Sequence, residues 1–169
     1  MEKEIIPTIF AYDVKTFNDK LKSLSQFARN IQLDFMDGKY TSNKTVSLED
    51  MKLVKNPEFR DINFELHLMA KNPFLYIDYI KNYNIKKVLI HFEAFDTKED
   101  LVECILKFKK EKIKCFIVIE PETPIEEIED LNLIKIIDGI MFMGIKSGAE
   151  GQTFIPVVYD KFSNFKNKF

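Results

Sequence analysis

One segment decides the fold: Gln32-Leu33-Asp34-Phe35-Met36-Asp37-Gly38. An apolar run leads into two acidic residues and a glycine, which is typical of a buried strand whose carboxyl end carries carboxylates. A second run, Asn63-Phe64-Glu65-Leu66-His67-Leu68-Met69, ends in the same way with a histidine. A carboxylate and an imidazole at neighbouring strand ends are the groups that a metal-assisted proton-transfer site needs. On spacing alone, an Asp-Gly turn and a core histidine are the more frequent explanation.

Strand-like and helix-like patterns alternate along the rest of the chain. Strands are predicted over residues 5–11, 30–35, 62–69, 87–92, 113–119 and 136–143, and helices over 13–27, 48–55, 72–83, 97–110, 123–133 and 157–168. The strands are continuous apolar runs, which indicates a parallel sheet covered on both faces. Two architectures fit this alternation, an open doubly wound sheet and a (β/α) barrel. No Gly-x-Gly-x-x-Gly follows the first strand, and polar residues end many strands, so the pattern favours the barrel.

Composition limits the classes of protein to which the chain can belong. With 169 residues, of which 46% are apolar and 31% charged, residues 1–169 are expected to form a single domain. The net charge of -2 implies neither a nucleic-acid nor a membrane partner. The chain has no apolar run near the roughly 20 residues of a membrane span. Without a signal-peptide pattern, and with Cys104 and Cys115 outside any metal-ligand spacing, a cytoplasmic protein with reduced thiols is expected.

Taken together, the strand ends resemble the ribulose-phosphate 3-epimerase family. The matching segments are Pro7-Thr8-Ile9, Leu33-Asp34-Phe35-Met36-Asp37-Gly38, His67-Leu68-Met69 with Asn72-Pro73, His91-Phe92-Glu93-Ala94, Pro121-Glu122-Thr123-Pro124, and Met143 with Gly148-Ala149-Glu150-Gly151-Gln152-Thr153-Phe154. They occur in order over nearly the whole chain. The resemblance implies a TIM-type barrel, with six of eight βα units present, that interconverts ribulose 5-phosphate and xylulose 5-phosphate.

The resemblance also implies roles for particular residues. In the family, two aspartates move a proton at C3, and a divalent metal (Zn, Fe or Mn), held by two histidines and the same aspartates, stabilises the enediolate. Asp34 matches the first aspartate, as base and metal ligand, and His67 matches one histidine ligand. The positions that match substrate-contacting residues of the family are Thr8, Met36, Met69, Met143, Gly148, Gly151 and Gln152.

Three departures from the family pattern leave the function open. Gln32 stands where the family has its other histidine ligand, and Lys146-Ser147 replaces a Glu-Pro or similar pair. The family's second aspartate lies on strand seven, and six strands are predicted here. Three hypotheses follow: an epimerase that binds a small phosphosugar, a catalytically impaired phosphosugar-binding member, and a module completed by a partner chain. Open edges at the first and sixth strands predict a homo-oligomer or a chain that completes the barrel.

Overall fold

A single parallel sheet organises the molecule. The computed structural model describes residues 3–83 and 85–168, apart from the side chain of Leu131. Six strands lie in sequence order, each parallel to the next. They are β1 (Thr8–Ile9), β2 (Asn30–Met36), β3 (Asn63–Met69), β4 (Ile85–His91), β5 (Lys114–Ile119) and β6 (Gly139–Phe142). This winding confirms the predicted TIM-type α/β class. In the described part of the chain β1 and β6 do not pair with each other, and self-association through these edges stays a prediction.

Helices and short 3-10 turns connect the strands. The α-helices among the described residues are α1 (Val14–Leu24), α2 (Ile77–Ile80), α3 (Lys98–Lys110), α4 (Leu131–Ile136) and α5 (Val157–Lys168). The 3-10 turns are Asp50–Lys55, Pro57–Phe59, Pro73–Tyr76, Phe92–Ala94 and Ile125–Ile128. None of the described helices has the length and apolar content that crossing a membrane requires.

Helix α1 shows how the local sequence fixes an element. The Asp13 side chain accepts hydrogen bonds from the backbone N–H and the hydroxyl of Thr16, so it caps the first turn of the helix predicted over 13–27. Phe17 and Leu21, one turn apart, are fully buried against the sheet. Thr97 caps α3 in the same way, by accepting from the backbone N–H of Asp100.

The two faces of the sheet differ in chemistry. Because side chains alternate along a strand, Leu33 and Phe35 of β2 point to one face, where helices cover them in the main hydrophobic core. Gln32, Asp34 and Met36 take the alternate positions of the same strand and point to the opposite, inner face. The polar positions at the carboxyl ends of the strands therefore share one surface, which is the arrangement of a TIM-barrel site.

Several predicted boundaries were wrong. The first strand was predicted over residues 5–11, but Ile5 is exposed and only Thr8–Ile9 pair with β2. The predicted helix over 72–83 is a 3-10 turn followed by the short α2, and the segment 48–55 contains only a 3-10 turn. The segment predicted as one helix over 123–133 divides into a 3-10 turn and α4, because Asp130 caps a new helix by accepting from Asn132.

Candidate active site

The site begins with a carboxylate and an imidazole on adjacent strands. Asp34 of β2 lies directly opposite His67 of β3 in the parallel register. Asp34 Oδ1 is 3.1 Å from His67 Nδ1, and it also accepts a hydrogen bond of 3.0 Å from the Gln32 amide. Only 3% of the His67 side chain and 14% of the Asp34 side chain are exposed. Burial lowers the pKa of His67, although the hydrogen bond to Asp34 opposes that shift. His67 is therefore a neutral or proton-sharing partner of a partly exposed carboxylate.

A second imidazole stands behind the first. His91, the last residue of β4, is fully buried, and its Nε2 lies 2.8 Å from Nε2 of His67. The two rings are stacked at a centroid distance of 5.0 Å. Ser147 Oγ lies 3.5 Å from the same nitrogen of His91, at the limit of a hydrogen bond. Two imidazoles thus connect Asp34 to the interior of the sheet.

Two carboxylates and a phenol surround the far side of His91. Its Nδ1 is 3.2 Å from Glu120 Oε1, 3.7 Å from Glu93 Oε2 and 3.0 Å from the Tyr40 hydroxyl. Burial opposes a charge on His91, but the nearby carboxylates of Glu120 and Glu93 outweigh burial and raise the pKa of His91. Burial likewise opposes ionisation of Glu120, yet hydrogen bonds from His91 and Ser147 lower its pKa to about 2. Burial raises the pKa of Tyr40, so its phenol stays neutral.

A cavity of about 250 Å³ opens beside Asp34 and His67. Three methionines, Met69, Met141 and Met143, form its apolar wall. The loop after β6 closes it with Lys146 and neighbours that include the predicted substrate residue Gly148. The structure therefore brings together Asp34, His67, Gln32, Met69, Met143 and Gly148 around one space.

The other predicted substrate residues lie elsewhere. Thr8 is exposed on β1 and does not line this cavity, whereas Phe10, two residues further on, does. Met36 is fully buried and packs with Phe10 and Met69 behind the cavity wall. Gly151 is exposed and lies outside the lining. Gln152 lines a neighbouring space and donates to the carbonyls of its own loop.

This neighbouring space has a volume of about 600 Å³ and lies between the loops after β2 and β6. Its lining includes Lys146, Ser147 and hydroxyl groups of Tyr40 and Thr41. Gly148, with a φ of +117°, lies so close to Thr41 that an added Cβ would approach its side chain to 3.1 Å. Asn43 then donates a hydrogen bond of 2.8 Å to the Gly148 carbonyl. These contacts hold the two loops together over the site.

The donor set fits the metal that the resemblance implies only in part. Asp34 and His67 lie close enough together to share one ion, but Gln32 takes the place of a histidine and turns its amide N–H towards Asp34. Among the described residues, no group of three or more His, Cys, Asp or Glu side chains has an arrangement that could hold a metal. Both nitrogens of His67 are engaged in hydrogen bonds. The residues that the structure describes therefore do not assemble the four-ligand site of a zinc centre.

The residues that surround His91 were not predicted as site residues from the sequence. His91 and Glu93 belong to a matched segment, and the alternation of β4 would have placed His91 on the inner face with Leu89. Glu120 follows β5 directly, so its place at a strand end was a second available signal. Tyr40 lies in the polar loop after β2, and no periodicity marks it.

Comparisons with solved structures place this architecture among the TIM-barrel enzymes. A chain of the tryptophan synthase complex from Pyrococcus furiosus matches with a TM-score of 0.64 at 18% identity, over 96% of this chain and 73% of that one. A type I 3-dehydroquinate dehydratase from Clostridium difficile matches with a TM-score of 0.52 at 12% identity, over 97% and 92%. At these identities the likeness shows the fold alone.

Sequence comparison identifies the family. The model of the ribulose-phosphate 3 epimerase family matches residues 4–169, and the chain belongs to that family. Relatives named ribulose-phosphate 3-epimerase include one from Chlamydia muridarum, 27% identical over 93% of this chain and 66% of its own length. Another, from Bacillus subtilis, is 25% identical over 96% of this chain and 72% of its own. The chain spans about two thirds of the length of these relatives.

Proposed function

We propose that this chain interconverts D-ribulose 5-phosphate and D-xylulose 5-phosphate by proton transfer at C3, with Asp34 as the base. Membership of the family supports the substrate class. One observation carries the role of the base: the Asp34 carboxylate lines the methionine-walled cavity while two hydrogen bonds hold it in place. A general base needs this combination of access to substrate and fixed orientation.

The hydrogen bonds suggest which oxygen acts. Gln32 and His67 both bond to Oδ1 of Asp34, and the described residues give no hydrogen bond to Oδ2. Oδ2 is therefore the atom left to take the proton from C3. The electron pair of the broken C–H bond moves towards the C2 carbonyl and forms an enediolate. The apolar side chains of Met69, Met141 and Met143 would keep water from this intermediate.

Inversion at C3 also needs a proton from the opposite face. The resemblance attributes that step to an aspartate of strand seven, and the described residues form six strands. The first half of the reaction, removal of the proton by Asp34, is therefore separable from the second. The experiment has to measure the product as well as the loss of the C3 proton.

A second candidate is a family member that binds a phosphosugar without turning it over. Gln32 favours it, since an amide replaces an imidazole of the family's metal set and hydrogen-bonds to the base. A divalent metal remains a cofactor that the resemblance implies. If the chain uses one, the ligands beyond Asp34 and His67 must come from groups other than those that the described residues assemble.

Turnover and binding measured on the same variants distinguish the two candidates. NMR of ribulose 5-phosphate with the full chain is expected to show xylulose 5-phosphate, at a rate reduced about 10²–10⁴-fold in Asp34→Asn. Asp61→Asn, at an exposed position, is the control and is expected to behave as wild type. Calorimetric binding of ribulose 5-phosphate without any product would overturn the epimerase and support the binding protein. Equal rates in Asp34→Asn and wild type would refute Asp34 as the base.

A further inference from the structure

The contacts of His67 and His91 favour one arrangement of protons on the two rings. Nδ1 of His67 faces the Asp34 carboxylate at 3.1 Å, so this nitrogen must carry a proton to make an attractive contact. Nδ1 of His91 lies 3.2 Å from Glu120, 3.7 Å from Glu93 and 3.0 Å from the Tyr40 hydroxyl. Because that hydroxyl donates its proton to Glu120, Nδ1 of His91 must carry a proton of its own to make attractive contacts. The two Nε2 atoms, 2.8 Å apart, form a hydrogen bond only if one of them has a proton and the other does not. Three protons on four nitrogens give the pair one positive charge.

The surroundings supply the negative charge that such a pair needs. Glu120 also accepts from the Tyr40 hydroxyl at 3.2 Å and from the Ser147 backbone N–H at 3.2 Å, which fixes its carboxylate. Oε1 of Glu93 accepts from the Glu120 backbone N–H and the Thr123 hydroxyl. Its other oxygen, Oε2, is buried without a hydrogen-bond partner in the described part of the chain and lies nearest to His91. A buried carboxylate oxygen without a hydrogen-bond partner is destabilising unless a positive charge lies beside it.

We propose that His91, held by Glu93 and Glu120, is a positioning residue that keeps the Nδ1–H of His67 directed at Asp34. In this arrangement His67 is a hydrogen-bond donor to the base and not a metal ligand. Its Nδ1 carries a proton, and its Nε2 shares one with His91, so neither nitrogen offers a free lone pair. A metal could bind His67 only by displacing a proton from this pair. The positive charge beside Asp34 is then carried by the histidine pair and not by a metal ion.

This inference rests on the proposed function for its effect on catalysis, but not for its structural part. The chain contains two histidines, so a ¹⁵N-histidine NMR spectrum reports on this pair and on nothing else. In the wild-type chain at neutral pH we expect protonated Nδ1 atoms in both rings and a single proton between the Nε2 atoms. A His67 ring with a proton on Nε2 alone and a bare Nδ1 would overturn the proposal.

Two further measurements separate positioning from simple structural support. Glu120→Gln keeps the shape of the side chain and removes its charge. Because this weakens one charged hydrogen bond to His91, we expect kcat for C3 proton transfer to fall about tenfold with KM unchanged. The matched control, Glu122→Gln, lies two residues away on the exposed side of the same loop and is expected to leave kcat and the histidine signals unchanged. If KM rises while kcat stays constant in Glu120→Gln, the positioning role is wrong.

Adding zinc tests directly whether His67 is a metal ligand. One equivalent of zinc added to the wild-type chain is expected to leave the histidine signals in place. Loss of the Nδ1 proton of His67 with a metal-bound nitrogen shift would contradict the proposal and restore His67 as a ligand. The NMR spectra of the histidines need no substrate, so they test the hydrogen bonds independently of catalysis. If the spectra are as expected but the chain does not turn over ribulose 5-phosphate, the epimerase proposal is refuted and the hydrogen-bond arrangement is not.

Discussion

Replacing Lys161 with methionine tests what holds the loop that carries Glu120. Lys161, on α5, is buried, and its ammonium donates to three backbone carbonyls in the segment after β5: Glu120 at 2.9 Å, Pro121 at 2.7 Å and Thr123 at 2.6 Å. Methionine keeps most of the apolar stem and removes all three donors. The three carbonyls then lose their charged partner, while the cost of burying an ammonium disappears.

The expected magnitude follows from these two opposing effects. Hydrogen bonds to a charged group contribute about 1.5–3 kcal/mol each, so the three together set an upper bound of about 5–9 kcal/mol. Desolvation of a buried ammonium costs several kcal/mol, which offsets part of that gain. We therefore expect Lys161→Met to lower the free energy of unfolding by about 2–4 kcal/mol. For a chain of this length the melting temperature should fall by about 4–16 °C.

Thermal and urea unfolding, followed by circular dichroism, measure this change. The control is Lys166→Met on the same helix, where the lysine is exposed and the change should stay within about 0.5 kcal/mol. A Lys161→Met variant as stable as the control would refute the argument that the three carbonyls depend on the ammonium.

Three further predictions concern packing, acid stability and metal. Gly139→Ala should cost about 1–3 kcal/mol in urea unfolding, because an added Cβ would lie 2.4 Å from a ring carbon of Phe116; wild-type stability would show that the ring moves freely. Since hydrogen bonds hold the pKa of Glu120 at about 2, against 4.5 for a free glutamate, its stabilising contribution is complete above about pH 4.5 and is lost as the pH falls towards 2. Glu120→Gln should therefore flatten unfolding stability over that interval, and an unchanged pH dependence would contradict it. Calorimetry should show little heat of zinc binding for wild type and tighter binding for Gln32→His, whereas micromolar affinity in wild type that disappears in Asp34→Asn would contradict this.

The elements that sequence analysis predicted well are those fixed by local chemistry. Asp13 and Thr97 cap their helices because the capping bonds form within four residues. Asp34 and His67 meet because both end apolar strands of adjacent βα units, and parallel register puts equivalent positions side by side. The helix predicted over 123–133 was wrong because the Asp130 cap competes with a continuous helix there.

The rest of the site depends on contacts between residues distant in sequence. Tyr40 contacts His91, which is 51 residues away in the sequence, and Glu120, which is 80 residues away. No local sequence pattern predicts contacts at such separations. His91 could be placed on the inner face from its strand, but its two carboxylate neighbours come from the ends of β4 and β5 through the fold. Lys161 belongs to the predicted helix over 157–168, and its burial under the loop after β5 comes from the packing of α5.

The most direct test of the account is the reaction of ribulose 5-phosphate with the full chain in D₂O. If Asp34 removes the C3 proton and inversion follows, NMR will show xylulose 5-phosphate that carries deuterium at C3, and Asp34→Asn will form it at least about 100-fold more slowly. Deuterium that enters ribulose 5-phosphate at C3 without any xylulose 5-phosphate would contradict the epimerase. A wild-type chain that causes neither exchange nor inversion would contradict the assignment of Asp34 as well.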